Sequence, residues 1–190
     1  MDFIASYLSQ HEYLTEEEIK LFVKHSYIKS WAAGETIHKI GNTQHHPGLL
    51  LSGLVCCKHL SKEGIDKTVW LADEGSVLAD PTSVFDKTPS EIGMQAIEDS
   101  LIIHFHDDEL NKLNLKYPGL MRFKIQFMEM SIRELYKRVM FFSTLTPEER
   151  YAELLEKKPR LLDRVQQKYL ASYIGVTEVS ISRIKKRFKK

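Results

Sequence analysis

The chain has 190 residues, 43% hydrophobic and 28% charged, with a formal net charge of +1, which fits a soluble globular protein of one large or two small domains. Its only cysteines, Cys56 and Cys57, are adjacent, so a disulfide framework and a four-cysteine metal or cluster site are excluded and a reducing cytoplasm fits. No run of 18 apolar residues occurs, against a membrane span, and the interrupted, acidic start MDFIASYLSQHEYL does not read as a signal peptide.

Charge is unevenly placed. From Lys157 to Lys190 there are 11 Lys+Arg against 2 Asp+Glu, a balance of +9; the other 156 residues hold 16 against 24, a balance of −8. A basic end on an acidic body predicts a polyanion partner for the end alone.

In chain order, residues 2–24 read as helical. Thr15 and Glu18 form a capping box, and Ile19, Phe22 and Val23 give the apolar face behind it. Residues 27–106 change character. Short β-prone runs (YIKSW, ETIHKI, GLLLSGLVCCKHL, KTVWLA, MQAIEDSLIIHF) recur between glycine turns, as in a sandwich or barrel. KEGIDK (62–67) reads as a hairpin turn, and 107–116 as a short helix started by an aspartate.

Within the β region, Cys56 and Cys57 alternate across a strand, so one is expected in the core and the other half exposed. A thiol redox sensor is the functional alternative, with Lys58 the only adjacent cation to favour a thiolate. His104 and His106 share one strand face near Glu109. A cupin-type metal site would need a further histidine from His38, His45, His46 or His59 and a more distant glutamate. The plainer reading has His104 and His106 closing the last strand, and His45-His46 in a solvated loop. Trp31 and Trp70 read as core. There is no Walker loop and no GxGxxG, and nothing supports a Ser-His-Asp set.

Pro118 opens a helix through residue 143. Met121, Ile125, Met128, Ile132, Leu135, Val139 and Phe142 follow at alternating spacings of four and three, an unbroken heptad series. Phe123, Phe127 and Met130 form a second stripe. One stripe can pack on the β region and the other on a second copy. Thr146 and Pro147 start another helix, bearing Tyr151, Ala152, Leu154 and Leu155, which Pro159 ends.

The last segment carries the most specific signal. With Gln167 as position one, the small Ala171 is fifth and Gly175 ninth, the register of a helix-turn-helix. Ala171 allows close helix approach, and Gly175 suits positive φ in the turn. Leu170, Ile174, Val176, Ile181 and Ile184 are the buried joint, and Thr177 is the cap of the second helix. Its exposed face holds Glu178, Val179, Ser180, Ser182, Arg183, Lys186 and Arg187. Residues near its start can reach base edges, and Lys185, Lys186, Arg187, Lys189 and Lys190 can meet phosphate. A tail lying straight, or packed against the acidic body, would exclude this reading.

This layout resembles the cyclic-AMP receptor protein superfamily of bacterial transcription regulators (Crp/Fnr type) over nearly the whole chain. AAGETIHKIGN, GLLLSGLV and AIEDSLIIHF look like its β-roll turns. QQKYLASYIGVTEVSISRIKK looks like its helix-turn-helix, especially as found in Bacteroidetes regulators. The resemblance implies an α+β fold: an N-terminal cyclic-nucleotide-binding-like β-roll, jelly-roll-like and flanked by helices, then a long dimerisation helix and a C-terminal helix-turn-helix domain. The boundaries implied are 1–116, 117–143 and 144–190.

It further implies a cytoplasmic, non-enzymatic homodimer joined through 121–142 that binds double-stranded DNA, with RNA polymerase a candidate partner and no membrane contact. Arg183 holds the place of the family's guanine-reading arginine, in a DNA-facing set of Thr177, Glu178, Val179, Ser180, Ser182, Arg183, Lys185, Lys186 and Arg187. An effector pocket is expected between β-roll and long helix, at Ala79, Asp80, Ser90, Glu91 and Met128. The sequence identifies neither the small-molecule effector nor a cofactor.

Two departures stand out. The family's β-hairpin wing does not follow the recognition helix before Lys190. Its Gly-Glu for ribose becomes Ala79-Asp80, and its Arg-Ser for phosphate falls near Ser90-Glu91. A cyclic phosphate needs a cation or clustered N–H donors, and Glu91 would repel it, so cyclic AMP is not expected to bind in the usual way. The competing function is a small-molecule-binding β-roll with a vestigial basic tail.

Overall fold

The structure, a computed structural model, describes residues 2–43 and 47–188. His45, His46, Lys189 and Lys190, singled out from the sequence, lie outside the described residues.

Two short helices come first, α1 (Asp2–Leu8) and α2 (Glu16–Lys24). The helical stretch expected over 2–24 is therefore broken between them. The Thr15–Glu18 capping box is present as expected: each side chain reaches the other's backbone N–H. Glu18 does more than the box requires. Its other oxygen accepts from Gly119 N–H at 2.7 Å, at the start of α5 (Pro118–Thr144). One buried carboxylate thus caps two helices and pins the start of α5 to α2. Burial alone would raise its pKa, but hydrogen bonds from Thr15, Gly119 and Leu120 hold it below the usual value.

Among the described residues eight strands follow: β1 (Ser26–Trp31), β2 (Thr36–His38), β3 (Gly48–Ser52), β4 (Val55–Leu60), β5 (Asp66–Ala72), β6 (Val77–Leu78), β7 (Ile92–Ala96) and β8 (Ser100–Phe105). They form two antiparallel four-stranded sheets, ordered β1-β8-β3-β6 and β2-β7-β4-β5. Trp31, Leu50, Val55, Met94 and Ile102 fill the space between the sheets. The β4–β5 turn is tighter than expected, since Asp66 and Lys67 already belong to β5. A short helix, α3 (Pro81–Asp86), interrupts the roll between β6 and β7, and α4 (Asp107–Asn114) follows β8 with Asp107 as its first residue.

The outer faces of both sheets are covered, by different parts of the chain. On one side α1, α2 and the Phe123–Phe127 stripe of α5 bury Leu49, Ile103 and Phe105. On the other, the C-terminal helices bury Leu54, Cys56 and Leu71. This corrects the expectation for the cysteine pair: Cys56 and Cys57 are both buried. Cys57 points between the sheets, and Cys56 points outward under the C-terminal domain. Burial pushes both thiols up, away from the reactive thiolate a redox sensor would need.

The C-terminal part comprises α6 (Pro147–Lys157), α7 (Pro159–Arg164), α8 (Gln167–Ile174) and α9 (Glu178–Phe188). Thr146 caps α6 and forms a second capping box with Glu149. Pro159 does not only end α6: it is the first residue of α7, a helix the sequence reading missed.

Candidate nucleic-acid interface

The last two helices have the geometry that the register of Ala171 and Gly175 requires. Gly175 stands at φ +86°, in the left-handed region. Its N–H bonds Ala171 O at 3.0 Å, and Val176 N–H bonds the same oxygen at 2.9 Å, closing α8 in a tight turn. Thr177 then caps α9: its Oγ accepts from Ser180 N–H at 3.2 Å. Leu170, Ala171, Ile174, Ile181 and Ile184 are buried at the joint, and Val176 is half-buried beside it.

Arg150, on α6, was not foreseen. Its guanidinium donates to Phe141 O, Phe142 O and Ile174 O. Carbonyls near the C-terminal ends of α5 and α8 share one cation, a favourable match to the helix dipoles. This joins α6 and α8 to the end of α5.

α8 lies against β5, with Ser172 Oγ accepting from Thr68 N–H at 2.8 Å. α9 packs on α8 and α6 and turns its outer face away. Thr177, Glu178, Val179, Arg183, Lys186 and Arg187 are exposed on it, while Ser180, Ser182 and Lys185 are half-buried. Among the described residues Arg183, Lys185 and Lys186 have no ion-pair partner, whereas Arg187 meets Glu148 at 3.1 Å. The basic end is also partly neutralised by the body. Lys158 bonds Asp73, and Arg164 bonds both Glu74 and Glu98.

The residues expected to line an effector pocket divide into two groups. Ala79 and Met128 line a groove of about 1300 Å³ between the β-roll and α5, together with Trp70, Val84, Leu120 and Phe127. Asp80, Ser90 and Glu91 cluster with one another and are not in that lining. The physical reason is local. The Asp80 carboxylate caps α3, accepting from Thr82 N–H and Oγ–H, and takes further hydrogen bonds from Ser90 Oγ–H at 2.6 Å and Glu91 N–H at 3.2 Å. Burial opposes its charge, yet these donors keep its pKa below the usual value. The Asp80 carboxylate is therefore fixed by donors of its own chain, and Glu91 beside it is exposed.

Most of the heptad stripe is exposed in the single chain, although Met128, Ile132 and Leu135 also border the groove. Ile132 and Leu135 are each 62% exposed and Val139 is 53%. The other stripe packs on the β-roll through Phe123 and Phe127. Among the described residues no cluster of three or more His, Cys, Asp or Glu could hold a metal ion. His104 is a core residue whose Nε2 accepts from Trp31 Nε1–H at 3.3 Å. No helix among the described residues is long and apolar enough to cross a membrane.

No protein-family model matches the chain, and no curated protein sequence matches it. Solved structures do match its fold. FixK2 from Bradyrhizobium japonicum superposes with a TM-score of 0.72 at 18% identity, over 86% of this chain and 84% of that one. The c-di-GMP responsive global regulator CLP from Xanthomonas campestris gives 0.72 at 16% identity, over 90% of each chain. A transcriptional regulator of the CRP/FNR family from Thermus thermophilus gives 0.63 at 18%, over 86% of each. The β-roll, long helix and helix-turn-helix thus form one fold with these proteins.

Proposed function

We propose that the chain is a sequence-specific DNA-binding transcription regulator of the Crp/Fnr type, acting in the cytoplasm as a homodimer and carrying no enzymatic activity. The observation that carries this is the outward face of α9. Arg183, Lys185 and Lys186 have no ion-pair partner there among the described residues, on a helix held to α8 by a buried joint and a left-handed glycine turn. Residues 1–116 would sense, 117–143 would join two copies and 144–190 would read DNA.

In this reading the start of α9, with Thr177, Glu178, Val179 and Ser180, enters the major groove and Arg183 reads a base. Lys185, Lys186, Arg187, Lys189 and Lys190 meet phosphate, and Ser182 lies alongside. The largely exposed stripe of α5 supports pairing with a second copy between 121 and 142, because an apolar heptad face gains by being covered. Two copies would then present two α9 helices to a roughly palindromic site, where RNA polymerase is the next partner. The effector is a small molecule in the groove beside Ala79 and Met128. Glu91 falls where a cyclic phosphate would need a cation, and Asp80 is already engaged by Thr82, Ser90 and Glu91, so binding of cyclic AMP in the usual way is not part of the proposal.

The test compares two substitutions on a duplex selected from a random pool by the full chain. Arg183→Ala should lower affinity for the selected duplex and leave random duplex nearly unchanged. Lys186→Ala should weaken both alike and reduce the salt slope by about one. Equal losses for Arg183→Ala on the two duplexes would remove its base-reading role. A second reading, a β-roll protein that binds a small molecule and no DNA, is favoured by one observation: Lys158, Arg164 and Arg187 are already neutralised within the chain. It predicts no difference between selected and random duplex.

A further inference from the structure

The C-terminal domain is not loosely tethered to the β-roll. Arg164, the last residue of α7, places its guanidinium between two carboxylates of the roll. Its Nε and Nη2 take Glu98, at 2.6 to 3.1 Å; its Nη1 and Nη2 take Glu74, at 3.0 and 2.8 Å; and Nη2 also donates to Gly53 O at 2.9 Å. Glu74 closes the network by accepting from Gly53 N–H at 3.1 Å. Beside it Lys158 Nζ spans both oxygens of Asp73 at 3.0 Å. Arg164 is 28% exposed and Glu98 30%, so that pair is partly shielded from water, while Glu74 at 44% is more open. Forked, charge-assisted hydrogen bonds of this kind fix orientation as well as distance.

Position matters as much as strength. Asp73 and Glu74 sit on the turn between β5 and β6, and the same turn, through Ser76, walls the groove between the roll and α5. The turn that borders the groove, Asp73 and Glu74 included, therefore also supplies the carboxylates that hold the domain that carries α9.

We propose that the Arg164–Glu74–Glu98 cluster, with Lys158–Asp73, is a latch that sets the position of the helix-turn-helix domain on its own β-roll. Arg164 is then a positioning residue for DNA reading and makes no DNA contact itself. This rests on the DNA-binding reading above. A latched domain holds the two α9 helices of a dimer at one separation. Release leaves each helix competent but loses the pre-set spacing.

The test uses the full chain and two variants, Arg164→Ala and the double Glu74→Gln/Glu98→Gln, which disarm the latch from opposite sides. Hydrogen exchange at the Thr68 amide, bonded to Ser172 across the docking surface, reports the latch without DNA. It should speed by about tenfold or more in both variants. Binding to the selected palindromic duplex should weaken by about tenfold, with a flatter dependence on half-site spacing, while a single half-site binds as before. Arg164→Lys should recover part of both effects.

Unchanged Thr68 exchange would overturn the latch. Faster exchange with unchanged spacing dependence would overturn its positioning role. Equal losses on palindrome and half-site would do the same, since they mark general unfolding of the domain. If the wild type binds no DNA at all, the regulator reading fails separately, and exchange alone decides whether the latch exists.

Discussion

Gly175 is the narrowest point in the account, and replacing it by alanine gives a worked test. Its φ of +86° lies where an L-residue meets its own backbone, at a cost of about 1–2 kcal/mol. An added Cβ would also stand 3.1 Å from Phe142 Cε1, so the ring has to yield, adding about 0.5–1 kcal/mol of strain. Against this, alanine restricts the unfolded chain and returns about 0.4–1 kcal/mol. The net is a destabilisation of about 1.5 kcal/mol, which for a chain of this size lowers Tm by about 3–6 °C. Thermal unfolding by circular dichroism measures it. Gly175→Asn should fall between the two, because asparagine enters the left-handed region more readily. Alanine matching glycine within about 0.5 kcal/mol would show that the turn is not fixed as described.

Two further outcomes follow from other parts of the molecule. Leu135→Asp places a charge in the largely exposed heptad face of α5. It should weaken self-association by about a hundredfold or more in sedimentation while leaving the β-roll folded, since Leu135 is 62% exposed in the single chain. Glu18→Gln should destabilise the chain at neutral pH by about 1–3 kcal/mol, because an amide cannot satisfy donors from both helix starts. The folded pKa of Glu18 lies below its usual value of 4.5, so its contribution is complete above that pH and is lost as pH falls through the folded value. The gap between wild type and variant should therefore narrow below about pH 4.5, as denaturant titrations at several pH values would show.

Much of the molecule was readable because its signals are local. Thr15–Glu18 and Thr146–Glu149 are capping boxes spanning three residues. Pro118 marks a helix start by itself, and the Ala171–Gly175 register defines a turn within five residues. The burial of Cys56 was not readable. Strand alternation puts one thiol outward, but only the docked C-terminal helices cover it, and no pattern near residue 56 encodes them. The Arg164 cluster was hidden for the same reason: its carboxylates lie 90 and 66 residues away along the chain. Within the basic end Arg164 and Lys158 count like any other cation, and only the fold separates those held by the body from those turned outward on α9.

The expected pocket failed to assemble as one site because Asp80 has two possible uses. A carboxylate before Pro81 can face a ligand or cap the helix that the proline begins, and here it caps α3. Nothing in ADPTS distinguishes these outcomes without the position of Ser90, ten residues later.

In the proposed function α9 turns toward a duplex a cationic face on which, among the described residues, Arg183, Lys185 and Lys186 have no ion-pair partner while Arg187 is held by Glu148. The most direct test of this is equilibrium binding of the full chain to its own upstream DNA and to random duplex, each at two salt concentrations. The account predicts tighter binding to the upstream duplex, with affinity for both falling steeply as salt rises. Weak binding that is equal for the two duplexes and insensitive to salt would contradict it.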